Sequence, residues 1–177
     1  MFDLELFTGD CRAAVEADTT HRAVLDVVRR SIDDPAAIIA ALGVPAIAGI
    51  FPLYRSAELT ILNVVWKPGM TLTPHNHAMW AVIGVYAGRE DNVFWRRVPG
   101  DAHGRLEAAG ERTLLTGDVM PLGRDIIHSV TNPLAEPTGA IHVYGGDFFA
   151  AERSEWEADA LVERPWDIER VKALFGT

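Results

Sequence analysis

The sequence predicts a mainly β protein, a jelly-roll barrel with helices at its N-terminal end and a helical tail at its C-terminal end, on three observations. From about Ile50 onward, β-branched and aromatic residues gather in short runs separated by Gly, Pro, Asp and Asn. About eight such runs follow at short spacing with no helical pattern between them, which favours an antiparallel jelly roll or barrel over a parallel α/β sheet. The stretches on either side of these runs carry helical periodicity and capping residues.

At the front, Thr19-Thr20 can cap a segment in which Val24, Leu25, Val27 and Val28 recur at helical spacing before Arg29-Arg30. A second helix follows, with Asp34 as N-cap, Pro35 at its first position, an apolar stripe of Ile38, Ile39 and Leu42, and Gly43 to stop it. Strands are expected near Thr60–Trp66, Thr71–His77, Trp80–Tyr86, Val93–Val98, Leu106–Thr113, Asp118–Leu122, Ile126–Thr131 and Ala140–Tyr144. From Glu152 the pattern turns helical, with Trp156 and Ala160 on one face until Pro165 interrupts it. A last piece capped by Asp167 carries Ile168, Val171, Leu174 and Phe175 as an apolar stripe able to dock on the barrel.

The 177 residues fit one domain: a helical cap over 1–48, a barrel over 49–150 and a helical tail over 151–177. Apolar residues make up 49% of the chain, enough for a sizeable core, so a disordered chain is excluded. A net charge of −9, with only two lysines, gives no basic footprint for nucleic acid. The single cysteine, Cys11, excludes an intramolecular disulfide and a multi-thiolate zinc site. The opening MFDLELFTGD has acids and no base, unlike an export signal, and the longest mostly apolar stretch, Pro35–Ala48, is too short to span a bilayer. These features lead to the expectation of a cytoplasmic protein without membrane or nucleic-acid partners.

The histidines are the chemistry-bearing residues. His75 and His77 form a His-x-His pair, and in a strand i and i+2 share a face, so both imidazoles can reach one ion. His128 shares its face with Ile126 and Val130 and should point inward. An isolated inward histidine is most simply a core residue bonded to a carbonyl. A third inward imidazole beside a His-x-His pair raises the metal reading, because three neutral imidazoles can fill one face of an octahedron. His142 and Tyr144 are another i, i+2 pair, suited either to core packing or to orienting and moving a proton beside a metal. His21, near a helix start, and His103, in a turn-rich stretch, are read as structural.

With these residues placed, the chain resembles the cupin superfamily. Gly69-Met70-Thr71-Leu72-Thr73-Pro74-His75-Asn76-His77, reaching Gly88, is similar to the cupin pattern G(x)5HxH…G, and Gly117, Pro121-Leu122-Gly123, His128 and Asn132 are similar to G…PxG…H(x)3N. The resemblance implies a double-stranded β-helix with a metal inside one mouth. Within cupins, HNHAMWAVIGVYAGRE and IHVYGG resemble the thiol dioxygenases, the cysteine and 3-mercaptopropionate dioxygenase group. Where most cupins have a further glutamate ligand, this chain has Ala81 and Val82.

That resemblance implies Fe(II) held by His75, His77 and His128, with another divalent metal such as Zn, Ni or Mn able to occupy the site on purification. It implies a small thiol and O2 as substrates, oxidised to a sulfinate. In the family a Ser-x-His-x-Tyr string lines the site; here it reads Ala140-Ile141-His142-Val143-Tyr144, which retains His142 and Tyr144 as the catalytic pair and loses the serine. Relatives use an arginine for a substrate carboxylate, with Arg55 the positional candidate and Arg89, Arg96, Arg97 and Arg124 alternatives; Trp80 or Met79 would line the mouth. Another metal-dependent cupin enzyme, an isomerase or a non-thiol oxygenase, and a non-enzymatic binding protein are the alternative readings. A homodimer formed through sheet edges or terminal segments is a further expectation.

Overall fold

Each helix at the front of the chain forms where a short polar side chain caps it. The structure, a computed structural model, describes residues 1–176. Helix α1 spans Leu4–Ala17 and is capped by Asp3, which accepts from the Leu6 amide. Helix α2 spans His21–Ile32 under a Thr20 cap, with Arg29 and Arg30 at its C-terminus, where cations suit the helix dipole. Helix α3, Pro35–Leu42, has the Asp34 cap, proline at its first turn and Gly43 at φ 87° as its stop. The first helix was not expected from sequence: it buries only Phe7 and Cys11, too few for a visible stripe.

The strands are β1 Gly49–Arg55, β2 Thr60–Trp66, β3 Thr71–Asn76, β4 Ala81–Ala87, β5 Arg89–Arg97, β6 Leu106–Leu115, β7 Val119–Leu122, β8 Ile127–Thr131, β9 Thr138–Tyr144, β10 Ser154–Trp156 and β11 Glu163–Pro165, and helix α4, Ile168–Phe175, closes the chain. They form two antiparallel sheets, ordered β1-β2-β9-β4-β7 and β11-β10-β3-β8-β5-β6. Apart from the β5–β6 hairpin, consecutive strands from β2 to β9 alternate between the sheets, so the chain winds around one axis as a double-stranded β-helix, the jelly roll read from the sequence. Strand β1, absent from the expected set, lies at a sheet edge, where Pro52 removes no ladder bond that a central strand would need.

The helical reading of residues 152–165 is corrected. Arg153 and Glu155 are buried two apart, as in a strand, while Ala160 is exposed, and the segment forms β10 and β11 on the edge of the second sheet. Pairing Glu155 opposite His75 fixes the junction, and Trp156 fills a pocket with Leu106 and Ile127. Helix α4 has its expected cap, Asp167, and buries Val171 and Phe175 of the expected stripe with Ile168 partly buried, whereas Leu174 is exposed.

Period-two alternation divides β4 and β9 between two cores. Ala81, Ile83, Val85, Ala140 and Tyr144 face the interior between the sheets. Val82, Tyr86, Ile141 and Val143 face outward, beneath α1 to α3. Gly84 is needed at that outer seam, since a Cβ there would lie 2.5 Å from Ile32 and 2.9 Å from Val28. No helix among the described residues is long and apolar enough to cross a membrane.

Candidate metal centre

Strands β3 and β8 carry the histidines on facing positions. His75 pairs directly with His128 in the antiparallel ladder, and the register slips between Leu72 and His75, around Pro74, a bulge that re-aims the strand as it reaches the site. His77 follows immediately after β3. All three side chains are buried, and one ligand-capable nitrogen from each lies within 4.8 Å of the other two.

The hydrogen bonds fix which nitrogens point inward. His75 Nδ1 donates to the Thr73 carbonyl at 3.0 Å, and His128 Nδ1 donates to Asn92 Oδ1 at 2.9 Å, leaving both Nε2 lone pairs free. Nε2 of His128 faces Nε2 of His77 at 3.3 Å. Burial lowers the His75 pKa to about 4 and holds His77 and His128 well below the usual histidine range, with the neighbouring imidazoles adding to both of those shifts. Three neutral imidazoles, each with a ligand-capable nitrogen within 4.8 Å of the other two, are a donor set for a first-row divalent ion, so the residues fit the metal that the sequence resemblance implies.

Tyr144 and His142 stand on β9, beside this cluster. The Tyr144 ring meets His77 edge-on at a centroid distance of 5.0 Å, and its hydroxyl lies 2.9 Å from His142 Nδ1. Burial raises the Tyr144 pKa well above its ordinary value, so the side chain remains a phenol. The cavity bounded by the histidines, Tyr144, Phe148 and Trp166 is narrow and otherwise apolar, with about 20 Å³ of space, room for one water-sized group.

The other two residues singled out in the sequence lie elsewhere. Arg55 is half exposed, and both arms of its fork engage Asp147, Nε to Oδ1 and Nη2 to Oδ2, each at 2.9 Å. Trp80 packs outside the first sheet against the helices, its ring in contact with Gly145 and its Nε1 donating to the Thr19 carbonyl at 3.0 Å. Met79, by contrast, belongs to the interior cluster.

Arg153, not among the arginines considered from the sequence, lies beside the cavity. It is 8% exposed, its guanidinium carbon lies 4.2 Å from the Phe148 ring centre and 4.3 Å from that of Trp166, and Nη1 donates to the Phe148 carbonyl. Among the described residues its Nε and Nη2 have no hydrogen-bond partner. Desolvation lowers its pKa to about 10, still high enough to keep the charge, and that charge helps depress the His75 and His77 pKa values. The Trp166 ring in turn lies 5.2 Å from that of His75. The only sequence signal for Arg153 would have been its alternation with Glu155, masked by the helical spacing of Trp156 and Ala160.

No protein-family model matches the chain. Among solved structures, the chain is similar to an RmlC-like cupin family protein with a double-stranded β-helix fold from Methanocaldococcus jannaschii, at TM-score 0.47 and 10% identity over 59% of this chain and 85% of that one. A conserved protein with a double-stranded β-helix domain from Klebsiella pneumoniae gives TM-score 0.47 and 14% identity over 66% and 87%. The oxalate decarboxylase of Bacillus subtilis, a protein with Mn(II) centres, gives TM-score 0.41 and 21% identity over 52% of this chain, which spans only 22% of that longer one. The strand order of the two sheets itself defines the double-stranded β-helix.

Proposed function

We propose that the protein is an iron-dependent cupin enzyme of the thiol dioxygenase kind, converting a small anionic thiol and O2 to a sulfinate. The observation that carries this reading is a ring of three neutral imidazoles without a carboxylate, next to a buried arginine with two free donor nitrogens. Three neutral ligands leave the full charge of a dipositive ion uncompensated, which favours an anionic, soft ligand such as a thiolate. When bound by His75, His77 and His128, iron supplies the redox chemistry that combines the thiol with O2.

The chain's own residues supply position and polarity. The Thr73 carbonyl and Asn92 hold the His75 and His128 rings in the ligating tautomer. Tyr144 places a hydroxyl at the cavity wall for a hydrogen bond to the reacting group. Arg153, rather than Arg55, is the anion anchor in this reading, because a buried guanidinium with unmet donors gains most from a carboxylate. Apolar walls formed by Leu62, Val64, Leu72 and Val130 exclude water around these groups. The cavity has room for one water-sized group, so a thiol substrate enters only if lining side chains move apart.

The reading is tested by O2 uptake with a panel of small thiols on protein purified anaerobically and loaded with iron. Uptake with a carboxylate-bearing thiol and formation of its sulfinate is the expected result. Iron-loaded protein that consumes no O2 with any thiol would overturn it.

A further inference from the structure

Strand β5 turns two polar side chains inward, Asn92 toward His128 and Glu90 toward β9. Glu90 is fully buried, and a buried carboxylate is costly unless donors face it. Trp66 Nε1 donates to Oε1 at 2.5 Å. His142 Nε2 stands 3.5 Å from the same oxygen, an ion-pair distance rather than a formed hydrogen bond, and among the described residues neither that nitrogen nor Glu90 Oε2 has a hydrogen-bond partner. Two residues before His142 on the same face is Ala140, whose methyl group has no hydrogen bond to offer.

We infer that Glu90 is a positioning residue that holds His142 in the Nε2–H tautomer and so sets the direction of the hydrogen bond with Tyr144. A carboxylate only accepts, so the ring nitrogen facing it carries the proton. In a neutral imidazole Nδ1 is then the acceptor, and the Tyr144 hydroxyl, 2.9 Å away, donates to it. The phenolic oxygen consequently turns its lone pairs to the cavity and accepts from a bound ligand that carries an acidic hydrogen. As the ligand's X–H bond breaks and its proton joins the Tyr144 oxygen, the original phenolic proton passes to His142 Nδ1. The imidazolium so formed faces the Glu90 carboxylate, as in a carboxylate–imidazole–hydroxyl triad. Electrons remain where they were, and no further reactant is consumed in this transfer.

The direct test is long-range proton–nitrogen NMR of 15N-histidine-labelled full-length protein without added iron, with His142 assigned through His142→Gln. The expected wild-type signature is Nε2–H, shifted to Nδ1–H in Glu90→Leu and retained in Trp66→Phe, which removes the competing donor and keeps an aromatic ring against His142 and Phe175. Nδ1–H in the wild type overturns the inference whether or not a variant folds, and so does an unchanged tautomer in a folded Glu90→Leu. The turnover arm rests on the thiol reading: Glu90→Leu should lower kcat about 10–100-fold with iron content and KM unchanged. Equal turnover of wild type and Glu90→Leu overturns the positioning role, whereas a wild type that turns over no thiol counts against the functional reading alone and leaves the tautomer result to decide this one.

Discussion

The helices at the front of the chain pack on the outer face of the five-stranded sheet, burying Val24, Val28 and Ile32 against Ile61, Val82 and Val143. The segment after β9 instead folds back across the barrel mouth and brings Arg153, Trp166 and Val171 toward the histidines. The front contact is a seam of close-packed aliphatic residues around Gly84. The rear one is polar as well as apolar: Glu155, 2% exposed, bonds Arg164 at 2.7 Å and also binds Arg170, tying β10, β11 and α4 together. Both coverings complete the fold, and only the rear one contributes groups that chemistry can use.

The largest effect separating barrel interior from outer layer should come from acid. The buried His75 has its folded-state pKa lowered to about 4, while the unfolded chain titrates near 6.5. Between these values the unfolded state takes up a proton that the folded state refuses, so stability is full above pH 6.5 and falls as pH drops toward 4. His75 alone accounts for up to about 3 kcal/mol of this loss, with His77 and His128 acting in the same direction. Denaturant unfolding of the metal-free protein across this range checks the slope, and a flat profile would count against a buried, neutral cluster.

Gly84→Val probes the front covering. Its added methyl groups meet Ile32 and Val28, so α2 must shift, at a cost of about 1–3 kcal/mol. Metal stoichiometry should be unaffected; a variant that loses metal while retaining its stability would erase the distinction between the two coverings. On the rear side, Arg153→Met should raise KM for a carboxylate-bearing thiol about 10–100-fold, the worth of a charge-assisted hydrogen bond, while Arg55→Met leaves it unchanged. Steady-state kinetics on both variants decides which arginine meets the substrate. The smallest effect is expected for Asp34→Ala, which removes the α3 cap and costs about 1 kcal/mol by thermal unfolding, without altering turnover.

Strand β2 occupies the bounds expected from sequence, and β7, β8 and β9 lie within two residues of theirs, because each is a short apolar run with clear punctuation. Helices α2, α3 and α4 were legible from their caps. The first four residues of β5 were not: Arg89-Glu90-Asp91-Asn92 is polar enough to pass for a turn, and Glu90 is buried only because Trp66 and His142 arrive from other strands. The same limit hid Arg153. Local periodicity identifies apolar faces and the three histidines, whereas a buried charge depends on partners that only the folded chain assembles.

If His75, His77 and His128 together hold one metal ion, removing one of them should empty the site. Elemental analysis of anaerobically prepared wild type beside His77→Ala, with circular dichroism to confirm the fold of both, tests it most directly. About one iron per chain in the wild type and essentially none in the variant is the expected result for a single three-histidine site. Equal iron in two equally folded proteins, or none in the wild type after reconstitution, would contradict it.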